Sequence, residues 1–139
     1  MPIFPIYTKT IIIPPAAIDE NGHVNNVVYV QWMQDIAVEH YASAGGVTAQ
    51  GANATWVVRE HKVEYLRPAF TGQEVEIRTW VEDARRVRSL RKYEFVRTAD
   101  ASLLVRGETD WVFVDTSTGR PLPIPAVVIE LLSPRKRLS

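Results

Sequence analysis

One long segment of helical period, residues 26–44, is apolar on most of its sides, and no other feature limits the possible folds as much. Tyr29, Met33, Ile36, Ala37 and His40 fall at i, i+4, i+7, i+8 and i+11, which is one helix face. Val28, Trp32 and Val38 put apolar side chains on other faces. A helix of this kind needs cover from other elements. Asn25 or Asn26 suits its N-terminal cap. Gly45-Gly46 suits its end, because glycine adopts the left-handed conformation without steric cost.

The remaining segments supply that cover. Residues 3–13 are β-branched and aromatic and read as a strand, stopped by Pro14-Pro15, which cannot donate to a ladder. After the helix, strands are expected at residues 56–67, 74–82, 87–98 and 102–114, joined by short turns. The second is the clearest: Val75, Ile77, Thr79 and Val81 alternate with Glu74, Glu76, Arg78 and Glu82. Residues 83–86 read as a tight connection, residues 127–132 as a short helix and residues 134–137 as a solvated tail. Gly107, inside the last strand, offers room for a helix or another backbone to approach. Consecutive strands with short turns make an antiparallel sheet, and a single apolar helix must pack into it. The expected architecture is α+β: one domain over residues 1–139, with a curved antiparallel sheet wrapped around a long central helix, the hotdog fold.

Composition narrows the function classes. The chain has 139 residues, 46% hydrophobic, enough for one real core. Its 16 basic and 16 acidic residues cancel, so no whole-molecule attraction to nucleic acid or an anionic membrane is expected. With no cysteine, disulfides, thiolate metal sites and a cysteine nucleophile are excluded. No apolar run approaches the ~20 residues of a membrane span, and the first residues lack the pattern of a signal peptide. Asn53-Ala54-Thr55 fits the glycosylation sequon, but without a secretory signal the match carries no weight. A cytoplasmic location is the default expectation.

The segment Asp19-Glu20-Asn21-Gly22-His23-Val24-Asn25-Asn26-Val27-Val28-Tyr29 carries the chemistry. It places an acid, an amide and an imidazole just before a buried helix, at the positive end of the helix dipole. Backbone N–H groups of a first helical turn lack intrahelical partners and can polarise a carbonyl. A carboxylate beside them can activate water or attack an ester-like carbon. Asp, Asn and Gly before a helix are also ordinary turn and cap residues.

The run Asp19-x-Asn21-Gly22-His23-Val24-Asn25-Asn26-x-x-Tyr29-x-x-Trp32 resembles the signature of the 4-hydroxybenzoyl-CoA thioesterase family of hotdog proteins. It is also similar to the Asp-x-Asn-x-His-x-Asn-Asn-x-x-Tyr run of plant acyl-ACP thioesterases. Val57-Val58-Arg59-Glu60-His61-x-Val63-x-Tyr65-Leu66-x-Pro68-Ala69 resembles the strand that follows the helix in these proteins. The resemblance implies acyl-CoA thioester hydrolysis with Asp19 as nucleophile or general base. It implies that Asn21 and His23 position substrate or water, and that N–H groups near Asn26 and Val27 hold the oxyanion. It also implies a site between the subunits of a homodimer, with a tetramer as a pair of dimers, and no metal or organic cofactor. Some relatives carry the acid on the long helix, where this chain has Asp35 and Glu39.

Other residues stay open between roles. Gly22, Asn25, Asn26 and Tyr29 are candidate substrate contacts, yet the asparagines suit helix capping and Tyr29 suits packing. His61, in a strand, is a substrate contact or a satisfied core or interface histidine. Arg85, Arg86, Arg88 and Arg91 lie around one turn and are phosphate contacts for CoA or a solvated hairpin tip; Arg59 and Arg67 are further candidates for the phosphates. A metal site from Asp19, His23 and His40 matches no defensible spacing. Three rivals share the fold: an acyl-ACP thioesterase, an enoyl hydratase or dehydratase, and a non-catalytic acyl-CoA binding protein. The dehydratase motif carries a proline and one more residue before its histidine than Asp19-Glu20-Asn21-Gly22-His23 does.

Overall fold

In a computed structural model, which describes residues 6–132, the elements run β1 (Tyr7–Ile12), a 3₁₀ turn (Pro15–Ala17), α1 (Asn26–Ser43), α2 (Gly46–Ala49), β2 (Ala54–Tyr65), β3 (Glu74–Arg85), β4 (Arg88–Arg97), β5 (Ser102–Asp115) and α3 (Ala126–Leu132). The five strands form one antiparallel sheet in the order β1-β3-β4-β5-β2, with α1 against one face. This is the expected α+β hotdog. The first residues of the expected opening strand and the expected tail lie outside the described residues.

Each element follows from its sequence. On β3, Val75, Ile77, Thr79 and Val81 are all buried, so the alternation marks the inner face correctly. The same parity runs through Ser89, Arg91, Tyr93 and Phe95 on β4. On α1 the buried residues are Tyr29, Met33, Ile36, Ala37 and His40, the face with the apolar spacing. The helix is not enclosed, however. Val27, Gln31, Asp35 and Val38 form an exposed stripe, with Val27 73% and Val38 61% exposed. The sheet covers one side of α1 and leaves this stripe bare.

Three boundaries differ from the sequence expectation. Gly45 does end α1, at φ 86°, but Gly46 opens the short α2. Residues 83–85 continue β3, so the turn shrinks to Arg86-Val87, with Arg86 at φ 56°. Asn-Gly or Gly-rich dipeptides usually signal such a two-residue hairpin, and here there is none. The ladders also carry irregularities at Arg59 in β2, Glu82 in β3 and Leu104 in β5, each the extra residue in its pairing. Bulges increase twist and bend a strand.

Gly107 sits between Tyr93 and Val63 in the sheet. A Cβ there would lie 2.9 Å from Met33 Sδ, 3.0 Å from Met33 Cε and 3.4 Å from the Lys62 carbonyl oxygen. Met33 is wholly buried, so its thioether has little room to yield. Gly107→Val is therefore expected to cost about 1–3 kcal/mol in urea denaturation through overpacking. Met33→Ala in the same chain should recover part of that loss, a non-additivity that two independent sites would not show.

Candidate active site

The loop before α1 is built by short-range hydrogen bonds. Asp19 N–H donates to the His23 carbonyl at 3.1 Å, Gly22 N–H donates to the Asp19 carbonyl at 3.0 Å, and Ile18 pairs with Val24 in an isolated bridge. Gly22, at φ 84°, makes the turn. Val24 N–H donates to the Ala69 carbonyl and Asn25 N–H to the Ala17 carbonyl, each at 2.9 Å, and these bonds tie the loop to the body. Asp19 is half-buried, whereas Asn21 and Gly22 are exposed. Asp19 Oδ1 accepts from Asn21 N–H at 2.9 Å. Asp19 Oδ2 has no hydrogen-bond partner among the described residues.

Asn25 is the cap of α1: its Oδ1 accepts from Val27 N–H at 2.9 Å and its carbonyl from Val28 N–H at 3.0 Å. Both Val27 and Val28 N–H groups are therefore occupied. Asn26 N–H has no partner among the described residues and is the free donor at this end of the helix. The Asn26 carbonyl accepts from Tyr65 Oη at 3.0 Å, which docks the end of β2 beside the start of α1.

A cleft of about 220 Å³ opens here, lined in part by His23, Asn26, Tyr29, Tyr65, Arg67 and Pro68. Asp19 lies outside its lining in the single chain. The His23 ring packs edge-on to Phe70, with centroids 6.4 Å apart. Tyr29 packs edge-on to Phe95 at 5.0 Å and Trp32 at 5.6 Å. Its hydroxyl is buried without a partner among the described residues, and burial, then the neighbouring Tyr65, pushes its pKa up to about 12. Tyr29 thus both packs and presents an unsatisfied neutral hydroxyl near the cleft. Tyr65 was legible only as part of the second motif, and its hydrogen bond to Asn26 had no local sequence signal.

The other candidates are dispersed. Arg59 is the exposed bulge residue of the edge strand β2. His61 Nδ1 lies 2.8 Å from Thr109 Oγ1, and burial lowers its pKa. Arg86 is exposed at the β3–β4 turn. Arg88 makes two hydrogen bonds to Asp110, at 3.2 and 2.6 Å, and Arg85 pairs with Asp83 at 2.9 Å. Arg91 points inward and is 4% exposed, so the four arginines do not form one cluster. The strand parity that buries Ser89, Tyr93 and Phe95 would have found it. Of the helix acids, Asp35 accepts from Gln31 at 2.9 Å and Glu39 pairs with Lys9 at 2.6 Å. His40 lies about 20 Å along α1 from its start, remote from Asp19 and His23.

Arg91 and His40 share a hydrogen bond of 2.9 Å between Arg91 Nη1 and His40 Nδ1. A guanidinium only donates, so His40 accepts and is neutral. Its ring stacks on Tyr7 at 5.0 Å. Burial, then the Arg91 charge, lowers the His40 pKa to about 4.

Two outcomes follow from this geometry. Asn25→Ala removes the cap and should cost about 1 kcal/mol of stability in urea denaturation. As pH falls, unfolded His40 takes its proton near the ordinary ~6.5, whereas folded His40 stays neutral to about 4. Stability is therefore lost as pH falls through that window, at up to about 1.4 kcal/mol per pH unit. His40→Gln keeps an acceptor for Arg91 and should flatten the urea midpoint between these two pH values.

Comparisons with known proteins agree with this fold. Residues 13–132 match the family model described as the thioesterase-like superfamily. The acyl-CoA thioesterase YbgC of Helicobacter pylori strain J99 is 29% identical over 122 residues, covering 83% of this chain and 91% of that protein. A 1,4-dihydroxy-2-naphthoyl-CoA thioesterase from Synechocystis superposes with a TM-score of 0.81 at 16% identity, covering 92% of this chain and 96% of that one. The dynemicin thioesterase superposes with a TM-score of 0.83 at 19% identity, covering 93% and 96%. At those identities the two structures speak for the fold alone, and the family model over most of the chain speaks for the family. The chain belongs to the thioesterase-like superfamily, a family of thioester hydrolases.

Proposed function

We propose that this protein hydrolyses an acyl-CoA thioester to the free acid and CoA, with Asp19 as nucleophile or general base. The observation that carries the reading is the unoccupied Asn26 N–H at the start of α1, opening beside a cleft and following the Asp19–His23 loop. The helical end is electron-poor, and a donor there stabilises the oxyanion as the thioester carbonyl is attacked. Water oxygen bonds to the carbonyl carbon, the carbon–sulfur bond breaks, and the proton released from water ends on the CoA thiolate or the buffer. Asp19 Oδ2 is the free oxygen for this work, since Oδ1 already accepts from Asn21. Asn21 and His23 position water or substrate. The Helicobacter pylori relative named an acyl-CoA thioesterase supports CoA as the leaving group.

The site is completed by a second copy of the chain. β2 is the edge of the sheet and pairs only with β5 among the described residues. The bare stripe of α1 adds apolar surface at Val27 and Val38. A two-fold contact along β2 would cover both and bring the two helices side by side. A homodimer is the minimum assembly, and a pair of dimers the larger form. No helix of the described residues is long and apolar enough to cross a membrane.

A thiol-release assay over varied acyl-CoA esters tests the activity. Asp19→Asn is expected to lower kcat by about 10²–10⁴-fold, with KM changed far less. Turnover unchanged in Asp19→Asn would remove Asp19 from the mechanism.

A further inference from the structure

A second cavity of about 70 Å³ lies between α1, α3 and the sheet, and Arg91, Ala37, Tyr41, Trp56 and Trp111 line it. Exposed Val38 stands at its rim. Arg91 is 4% exposed, yet no carboxylate pairs with it among the described residues. Among the described residues only its Nη1 is engaged, with His40 at 2.9 Å and Thr79 at 3.2 Å, and both of these partners are neutral. Burial holds its pKa down to about 10, so the guanidinium stays charged at neutral pH. Trp56 and Trp111 belong to the same lining, and their buried indole N–H groups have no hydrogen-bond partner among the described residues. A buried cation without a counter-charge is strongly destabilising unless an anion meets it. Here it borders a cavity whose lining holds no carboxylate among the described residues.

Topology links this cavity to the candidate active site. Measured along its own helix, it lies about 16 Å from the α1 N-terminus. Trp56 stands near the start of β2, and Tyr65, at the end of β2, touches the start of α1. A two-fold contact along β2 runs the two edge strands antiparallel. In such a contact the start of one β2 would face the end of the other, and the Arg91 cavity of one protomer would approach the helix N-terminus of its partner. The acyl chain of a thioester bound there would run towards Arg91.

We propose that the Arg91 cavity receives a carboxylate at the far end of the acyl chain, so that the preferred substrates are ω-carboxyacyl-CoA esters. The proposal rests on the acyl-CoA hydrolase reading and on the β2 contact. The charge of Arg91 asks for an anion, and a guanidinium fork matches a carboxylate. A space of about 70 Å³ suits a slender group better than a ring, for which a cavity near 150 Å³ is known to serve. A carboxylate on a methylene chain fits the smaller space.

Two thioether analogues that cannot be hydrolysed, 5-carboxypentyl-CoA and hexyl-CoA, differ only in the terminal group. Isothermal titration of the whole protein at neutral pH should give at least about 10-fold tighter binding of the carboxylate. Arg91→Met should abolish or invert that preference, and Arg91→Lys should retain part of it. Arg91→Lys keeps the test alive should the apolar variant not fold. Equal affinities in the unaltered protein, no binding of either analogue, or a preference that survives Arg91→Met would each overturn the proposal. Failure of the hydrolase reading is a separate result: no thiol is released from adipoyl-CoA or hexanoyl-CoA, while the analogue affinities stand as measured.

Discussion

The seating of Met33 over Gly107 sets how deeply α1 lies in the sheet. Glycine at the middle of β5 removes one side chain from the concave face, and the thioether fills the gap. Because interiors are close-packed, that approach fixes the height of the whole helix above the strands. The helix start, with its free N–H, is therefore held at a defined height over the end of β2. Tyr65 then locks the distance by donating to the Asn26 carbonyl. The loop from Asp19 to Asn25 is a passenger on this arrangement, tied on by the backbone bonds of Val24 and Asn25.

Two apolar clusters flank a polar row. One cluster, around Tyr29, Met33, Tyr93 and Phe95, lies under the first half of α1. The other, around Val81, Phe113, Val128 and Leu132, is closed by α3. Across the sheet between them, Arg91, Thr109 and His61 stand in register, and His40 reaches Arg91 from α1. Burying this row carries a desolvation cost that apolar residues would not. The row leads from the closed interior to the open edge of the sheet, since His61 belongs to β2.

Strong periodicity made the architecture readable. The five buried positions of α1 and the four of β3 obey their periods of 3.6 and 2, and the Gly107 approach was readable from a lone glycine in a strand. The loop and cap were readable because Asp19, Asn21, Gly22 and Asn25 carry local hydrogen-bonding chemistry. The rest required three dimensions. Arg91 shares a turn with Arg85, Arg86 and Arg88, and only the alternation of β4 separates it from them. Arg88 finds Asp110 across the sheet, a pairing set by β4–β5 register and by no local spacing. The bare stripe of α1 was hidden because an apolar helix surface looks the same whether a sheet or a second molecule covers it.

The bulge at Arg59 has a bearing on solubility. An open sheet margin is a template on which further strands can add, and unlimited addition leads to fibrils. Here the extra residue interrupts the row of backbone groups partway along β2, while exposed Glu60, Lys62 and Glu64 crowd the stretch beyond it. A flat intruding strand would lose hydrogen bonds at the kink and meet charges of both signs. The same margin thereby rejects indiscriminate stacking and admits only a surface shaped to match it.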